Sequence, residues 1–411
     1  MSSLARLWKV LLRLIVCLVV LLLAVALFSF FFTESRRLPQ DQEAALIEDT
    51  IVILTGILHH EYDKDKILAD QPWRATKFLR DTHPKANACV RANFTVLPEL
   101  SPNLSLGLFA GKPDGSRTYK AWVRFSNAAN HVTDDHAADF RGMVMKLVGV
   151  SGARLPVPGD EQHTQDFFFV AHNTFFAGNV KHFHDFFAAV RAGGYDPNPL
   201  TNWRLAWNLF LRHPRGAYNG LQVMLHNVFP SIADISWFSV APFALAEPLG
   251  PQNAVKYGAF PCPGRKIRWT EPGVGPNYLT ERLAEDLAPG GPGMCLDFKV
   301  QIRAHESQPL ENTLVAWDAG ESPWRPVARI ELPPQEFQSP EQFAFCQNLT
   351  FNPWHGLVAH MPLGGLNRAR RDVMTAMQDV RLRENGNQRF EPTGDEVFYP
   401  GAKRPWLAAK P

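Results

Sequence analysis

The chain has 411 residues and a formal net charge of +2, with 45% hydrophobic and 20% charged residues. This is the composition of an ordinary globular protein, long enough for one large domain or two of average size, and it excludes extended disorder. The balanced charge excludes broad electrostatic binding of nucleic acid, which needs a concentrated basic surface. The sequence therefore predicts a folded protein whose partners are not nucleic acids.

The first element in the chain is an uncharged apolar segment, residues 14–32. At about 1.5 Å per residue, a helix over this segment spans roughly 28 Å, close to the thickness of the hydrocarbon core of a bilayer. Signal peptides have a shorter apolar core, of about 7–15 residues, and a small-residue cleavage site rather than an ending in three phenylalanines. We therefore expect residues 1–33 to be an uncleaved, single-pass membrane anchor. The preceding Arg6, Lys9 and Arg13 favour an N-terminus on the cytoplasmic side of the membrane. This orientation places the following domain outside the cytoplasm, in a periplasm if the cell is bacterial.

After the anchor, residues 34–55 form a predicted polar linker and first helix, and residues 56–411 a single predicted domain. Short apolar or alternating runs predict strands at 90–96, 119–126, 142–148, 166–170, 296–303 and 327–332. Such alternation is typical of a sheet with one buried and one wet face.

Helix signals interrupt and follow the predicted strands. Helices are expected at 179–191, at 201–212 where Pro214 ends the helix, from Ser339-Pro340 onwards, and at 365–383. Many short antiparallel strands with inserted and appended helices predict an α+β fold, built on a closed or nearly closed β-barrel.

The chain has five cysteines, none of them close neighbours: Cys17, Cys89, Cys262, Cys295 and Cys346. This spacing excludes zinc knuckles, redox CxxC pairs and the CxxCH attachment of c-type haem. The last four could pair in an oxidising compartment, in an order that the sequence leaves open. The usual behaviour of unpaired cysteine favours buried free thiols.

Several common kinds of active site lack their motifs. The chain contains no Gly-rich phosphate loop and no GxSxG nucleophile elbow. A metal site is conceivable at His182-Phe183-His184-Asp185. Such residues at a helix start are more often solvated or core polar groups than metal ligands.

Four segments combine arginines with other functional side chains. In chain order they are Arg80-Asp81-Thr82-His83, Arg124-Phe125-Ser126, Asp139-Phe140-Arg141-Gly142, and Arg370, Met374, Met377 and Arg381 on the last helix. The final four share one helix face, because their spacings of four, three and four residues bring side chains into line. Taken singly, such arginines are more often surface groups and such methionines core residues.

Taken together and in this order, the segments resemble the catalase family, above all short catalase-like haem proteins. The resemblance covers about residues 60–385, and the segment 363–370 is also similar. It implies a catalase-like antiparallel β-barrel with inserted and C-terminal helices, and haem b as the cofactor. The resemblance leaves the oligomeric state open.

The resemblance also implies roles for individual side chains. Arg80, Arg124 and Arg381 would bind the haem propionates, since guanidinium forms forked, charge-assisted bonds to carboxylates. His83 would be the acid/base on the distal side of the iron, with Ser126 fixing its tautomer. The remaining positions are Phe175 and Phe183 as pocket walls and Arg370 at an arginine position of the family's proximal helix.

Two positions depart from the family pattern. Met374 stands where the family has its iron-ligating tyrosine, and a neutral thioether shifts iron towards electron-transfer behaviour. Met374 is therefore a candidate iron ligand. The distal asparagine aligns with Ala171, while His172 or Asn173 would take that place after a small shift.

Three functions follow as expectations. The first is a membrane-anchored haem enzyme that breaks down hydrogen peroxide as a catalase or peroxidase. The second is a haem enzyme that processes lipid hydroperoxides, which membrane attachment would bring close. The third is a non-enzymatic haem-binding or sensing protein, favoured by Met374 and Ala171. A scaffold without haem is the remaining alternative, and it would make the arrangement of arginines a coincidence.

Overall fold

The computed structural model describes residues 37–64, 77–157, 161–226, 228–245, 253–264 and 269–407, together with some positions between 8 and 30. The strands are β1 Ala86–Val96, β2 Thr118–Ser126, β3 Gly142–Val148, β4 Thr164–Val170, β5 Trp237–Phe238, β6 Phe243–Ala244, β7 Ala254–Pro261, β8 Met294–Ile302 and β9 Trp324–Leu332. The helices are α1 Gln40–Lys64, α2 Val180–Ala192, α3 Trp203–Trp207, α4 Pro214–His226, α5 Tyr278–Leu287, α6 Pro340–Asn348 and α7 Gly365–Glu384.

The strands form one antiparallel sheet that closes on itself. Its order is β5-β4-β3-β2-β1-β9-β8-β7-β6, and an additional pairing joins β5 to β7. Closure depends on two residue pairs, Trp237 with Ala259 and Phe238 with Gly258. The ring runs from β1 through β5, passes to β7 and returns through β9, with β6 attached to the edge of β7. This confirms the predicted barrel with inserted and C-terminal helices.

Aromatic side chains fill the barrel. The rings of Phe94 and Phe298 lie with their centroids 5.1 Å apart in an edge-to-face arrangement, and Phe167 contacts both Tyr257 and Phe298 at 5.1 Å. All four rings are fully buried. Strand alternation explains the packing, because successive side chains of a strand point to opposite faces. On β2, Val123 belongs to this core while its neighbour Arg124 points to the other face of the sheet.

A helical layer covers the outer face of β2, β3 and β4. Helices α1, α2 and α7 share a second apolar core that includes Ile53, Leu54, Phe187, Val373 and Met377. The N-terminal turn of α2 is capped by Asn179, whose side chain accepts a hydrogen bond from the His182 amide. The layer leaves a large cavity between the helices and the sheet.

The predicted elements agree with the structure except at the first helix, which was expected within residues 34–55 and extends to Lys64, and in the middle of the chain. Pro214 does not simply end a helix: α3 ends at Trp207, a π-helical turn follows over Asn208–Arg212, and Pro214 begins α4. Proline suits this position because the first helical residue needs no amide hydrogen. The sequence reading also missed strands β5, β6 and β7 and helix α5.

The expectation of free thiols is wrong for four of the five cysteines. Cys89 is paired with Cys346 and Cys262 with Cys295, with Cα–Cα distances of 6.0 and 5.5 Å. The first disulfide joins β1 to α6, and the second joins the neighbouring ends of β7 and β8. Only the fold brings these distant positions within bonding range.

The predicted membrane anchor lies partly outside the described residues. Within the part of the chain that the structure describes, no helix is long and apolar enough to cross a bilayer. The anchor at residues 1–33 stays a prediction.

The two disulfides are expected to differ in their effect on stability. They close loops of 257 and 33 residues. In the chain-entropy account the longer loop stabilises by about 2 kcal/mol more. We predict that C89A/C346A lowers the urea unfolding free energy by at least that much more than C262A/C295A does. Equal losses would contradict the assigned pairing.

Candidate functional site

The large cavity between the sheet and the helices has a volume of about 700 Å³. This is within the range of roughly 300–1,000 Å³ that is typical of cofactor and ligand sites. Strands β2, β3 and β4 form one wall through Arg124, Val144 and Phe168, and helices α1 and α7 contribute Leu54 and Val373. The cavity therefore lies at the junction of the barrel and the helical layer.

The side chains that the sequence singled out converge on this one cavity. Its walls include Arg80, His83, Arg124, Ser126, Phe175, Phe183, Arg370, Met374 and Arg381. They come from segments that are up to 301 residues apart in the chain, from Arg80 to Arg381. Their assembly in one place is a property of the fold, while their catalytic or binding roles stay predictions.

His83 is held in a strained backbone conformation. Its φ is 58°, in the left-handed region that non-glycine residues adopt rarely. The His83 carbonyl accepts a hydrogen bond from Arg124 Nη2 at 2.6 Å, and His83 Nδ1 lies 3.0 Å from Ser126 Oγ. Such conformations persist only where the surroundings hold them, and they occur often at functional sites.

Gly142 makes room for the His83 ring at the start of β3. A Cβ atom built on Gly142 would lie 2.6 Å from His83 Cε1 and 3.1 Å from Ser126 Oγ. The first distance is shorter than real Cβ contacts show and the second is tighter than most of them, so a side chain here would displace the imidazole. The presence of glycine at the end of the Asp139–Gly142 segment is therefore explained by the space that the His83 ring needs.

The environment keeps the His83 imidazole neutral. Burial, followed by the positive charges of Arg124 and Arg80, lowers the pKa of His83 from 6.5 to about 3. Both causes disfavour the charged imidazolium. At neutral pH the ring therefore has one nitrogen with a free lone pair and one N–H.

A cluster of buried guanidinium groups is the main electrostatic feature of the site. Burial and the charge of Arg124 hold the pKa of Arg80 well below its usual range, and burial and the charge of Arg80 do the same for Arg381. Burial and the charge of Arg381 lower the pKa of Arg124 to about 9. The arginines thus repel one another in a poorly solvated place.

The hydrogen-bond partners of this cluster are almost all neutral. Arg80 donates to the Leu349 carbonyl at 2.8 Å, and Arg381 donates to the carbonyls of Gln347 and Leu349. Nε of Arg80 and Nε of Arg124 are buried without a hydrogen-bond partner. Among the described residues, no carboxylate lies within ion-pair distance of the four cavity arginines. Asp81 also lines the cavity and acts electrostatically on Arg80 and Arg381, but it balances the arginines only in part. Buried charge that is not fully balanced is costly, so the site is suited to an anionic ligand.

Helix α7 lines the opposite wall. Arg370 Nη1 donates to Asn367 Oδ1 at 3.2 Å, and burial lowers the pKa of Arg370 to about 10. Met377 is buried, and its sulphur accepts a hydrogen bond from Thr55 Oγ1 at 3.7 Å. Met374, one turn before it, is half-buried and lines the cavity. The helix therefore presents a neutral thioether to the cavity where the resemblance implies a tyrosine.

The three candidates for the distal asparagine point elsewhere. Ala171 packs in the barrel core, and His172 Nδ1 lies 3.0 Å from Thr174 Oγ1. Asn173 lines a second, smaller cavity of about 350 Å³. None of the three belongs to the described wall of the large cavity.

Sequence reasoning missed two polar residues of the cavity wall. Asn130 and His131 both line it, and His131 Nδ1 lies 3.0 Å from Asn130 Oδ1. They follow the Arg124–Ser126 motif within a few residues, which was the available signal. Their loop has no periodicity that would show which way the side chains point.

The possible metal ligands of α2 serve as hydrogen-bond and ion-pair partners. His184 Nε2 lies 2.8 Å from Asp49 of α1, and the rings of His182 and His213 pack with centroids 4.1 Å apart. These contacts join α2 to its neighbouring helices. The predicted alternative of core polar groups describes them well.

One buried cluster does have metal-ligand geometry. Ligand atoms of Glu161, Asp166 and His355 lie within 4.8 Å of one another. The ammonium group of Lys146 is hydrogen-bonded to Glu161 and lies 2.8 Å from Asp166. Lys146 thus provides the positive charge that balances these carboxylates, and the cluster ties β3 to β4.

Comparison with known proteins places the fold. No family model matches the sequence, and no curated protein matches it at the level of sequence. The structure is similar to catalase A from Saccharomyces cerevisiae, with a TM-score of 0.56 and 19% sequence identity over 74% of this chain and 61% of that one. It is also similar to a fungal catalase, with a TM-score of 0.54 and 16% identity over 75% of this chain and 58% of the other. The chain therefore has a catalase-like fold and spans about three fifths of the length of these proteins.

We predict that Gly142→Ala displaces His83. The new methyl group would overlap the imidazole, and overpacking of this kind costs about 1–3 kcal/mol. Urea unfolding measures the loss, and the ¹⁵N shifts of His83 report the changed bond to Ser126. The matched control is Gly220→Ala, since a Cβ there meets no atom within 4 Å although Gly220 lines the same cavity. Identical stability of both variants would show that the ring does not lie against β3.

Proposed function

We propose that this protein binds haem b in the large cavity and acts on peroxides. The observation that carries the proposal is the cluster of cavity arginines, which have no carboxylate at ion-pair distance among the described residues. A porphyrin with two propionates would provide the missing negative charge, and forked guanidinium groups suit carboxylates. The catalase-like fold supports the same class of function.

The cavity walls fit a flat, largely apolar macrocycle with one charged edge. In this proposal Arg80, Arg124 and Arg381 hold the propionates, while Phe175 and Phe183 bound the apolar part of the cavity. Arg370 adds positive charge from the side of α7. When bound, haem supplies the iron-centred redox chemistry of peroxide reduction.

His83 is the proposed acid/base. For its Nε2 to accept a proton from a peroxide, Nδ1 must carry the ring hydrogen and donate it to Ser126 Oγ, which lies 3.0 Å away. The lowered pKa keeps the imidazole ready to accept a proton at neutral pH. Ser126 therefore acts by fixing the tautomer and orientation of the ring.

Met374 is the proposed group on the iron side of α7. A thioether is neutral and a weaker electron donor than tyrosinate, which favours peroxidase-like chemistry or haem sensing over rapid catalase turnover. The distal positions 171–173, which point away from the cavity, favour the same choice.

Lipid hydroperoxides are the second candidate substrate class, favoured by the apolar outer part of the cavity. Phe210, Leu221 and Met224 line it and are also exposed on the surface. Hydrogen peroxide needs no such wall, whereas an acyl chain does.

We further propose that the domain lies outside the cytoplasm, attached to a membrane by residues 1–33. Two disulfides support an oxidising compartment, because cytosolic proteins rarely keep structural disulfides. The basic residues before the apolar segment favour the same orientation.

We predict that Arg124→Gln weakens hemin binding by about 10–100-fold, since a hydrogen bond to a charged group contributes about 1.5–3 kcal/mol. Titration of the purified protein with hemin, followed in the Soret region, measures the affinity. Arg124→Lys keeps the positive charge but lacks the forked guanidinium group, so it should lower the hemin affinity by an intermediate amount. Arg329→Gln, at an exposed arginine paired with Asp297, is the matched control and should bind normally. A wild-type protein that stays colourless with added hemin would refute the haem proposal.

We predict that His83→Gln retains hemin but reacts with hydrogen peroxide at least 100-fold more slowly, the usual order of a general acid/base contribution of about 10²–10⁴. Stopped-flow spectroscopy measures the rate.

The pH dependence tests the same group. Because the folded-state pKa of His83 is about 3, the neutral ring persists as the pH falls, and the rate should stay level from pH 8 to about pH 5. Stability should decline below pH 6.5, since the unfolded histidine takes up a proton there and the buried one does not. A rate that halves near pH 6.5 would show an ordinary, solvated histidine.

A further inference from the structure

An apolar face lies on the surface formed by α3, the π-helical turn and α4. We define it by Trp203, Trp207, Phe210, Leu221, Met224 and Leu225, whose exposed fractions lie between 51% and 66%. Isolated exposed hydrophobic residues are normal, but a contiguous apolar patch marks an interaction surface. The face therefore requires an occupant.

The charged residues of the segment that forms the apolar face are all basic, and one of them, Arg212, is ion-paired with Asp185 of α2 at 3.4 Å. Residues 197–233 contain Arg204, Arg212 and Arg215 and no aspartate or glutamate. Tryptophan and arginine around an apolar helix face are typical of helices that lie in the interface of an anionic bilayer. This complementarity favours phospholipid over a protein partner, which would also need matching shape.

The N-terminal apolar segment approaches the same helix. The rings of Phe30 and Tyr218 lie edge to face with centroids 5.6 Å apart, and the guanidinium of Arg215 lies 4.8 Å from the Phe30 ring centroid. Phe30 belongs to the uncharged segment 14–32, for which the sequence predicts membrane insertion. A bilayer that holds this segment would therefore meet the apolar face.

The apolar face also surrounds the mouth of the large cavity. Phe210, Leu221 and Met224 are exposed on the face and at the same time line the cavity. The same cavity reaches His83 and Met374 inside the protein. A molecule that leaves the bilayer at this point would enter the cavity without crossing water.

We propose that the apolar face docks on an anionic phospholipid bilayer and that the cavity opens into it, so that peroxidised acyl chains enter from the membrane. The substrate class rests on the proposed function, whereas the docking does not require haem. Hydrogen peroxide would reach the same site from water.

Docking is tested on the full chain, reconstituted in vesicles of phosphatidylcholine and phosphatidylglycerol with brominated acyl chains. Bromine quenches tryptophans that enter the bilayer. W203F/W207F should lose roughly two thirds of the bromine-sensitive fluorescence, since Trp8 of the N-terminal segment supplies the rest. Trp324→Phe, on β9, is the matched control and should lose none. Equal quenching in the wild type, W203F/W207F and Trp324→Phe would overturn the docking proposal.

Entry is tested by steady-state kinetics with two substrates. W203D/W207D changes the apolar face without changing the cavity wall, to which neither tryptophan belongs. We expect its KM for a fatty-acid hydroperoxide in vesicles to rise about tenfold, and its rate with hydrogen peroxide to stay unchanged. An unchanged KM would overturn entry from the bilayer. If the wild-type protein binds no haem but its tryptophans are quenched by bromine as expected, the proposed function is refuted and the docking proposal stands.

Discussion

Mutual repulsion among buried arginines is the constraint on which the site depends. Arg80, Arg124 and Arg381 lie in one poorly solvated cavity, and each lowers the pKa of another. Backbone carbonyls of residues 83 and 346–349 orient the guanidinium groups but do not neutralise them. The free energy of burial is offset by the rest of the fold, and an anionic ligand would reduce the remaining cost. Burial, together with the same positive charges, lowers the pKa of His83, so one poorly solvated cavity explains both the proposed cofactor site and the neutral state of the proposed base.

The barrel makes this arrangement possible by dividing each strand between two environments. On β2, Val123 and Phe125 fill the aromatic core, while Arg124 and Ser126 face the cavity. Because side chains alternate along a strand, polar residues can stand next to a densely packed interior without entering it. The core supplies the rigidity that a strained residue such as His83 requires, and the helical layer closes the other side. Catalytic candidates therefore lie on the outer face of the sheet and not inside the barrel.

The cavity joins two different surroundings. Its inner end is basic and lined by His83 and Met374, and its outer end is apolar and opens at Phe210 and Met224. A small, polar peroxide needs only the inner end, whereas the outer end is explained by a ligand with a long apolar part. The position of Phe30 beside α4 and the lack of acidic residues in 197–233 support the proposed contact of this outer end with a membrane. Cofactor site, substrate class and docking are thus linked by one continuous wall, although each can be tested alone.

The barrel strands with alternating residues and the helix with a clear cap could be predicted from the amino-acid sequence alone. Strand β3 lies where the pattern predicted it, and α2 follows Asn179. Local patterns suffice there, because alternation and capping depend on neighbours in the chain. The motifs around Arg80, Arg124 and Arg370 were also visible, through a resemblance carried by short segments.

Three features could not be predicted before the fold was known: the pairing of Cys89 with Cys346, the two-residue strand β5 that closes the barrel, and the inward position of Asn130 and His131. Each depends on contacts between residues far apart in the chain or on the course of an irregular loop, for which a linear pattern holds no signal. The space that Gly142 leaves for His83 could not be predicted either, because a glycine in a strand does not indicate which side chain will lie against it.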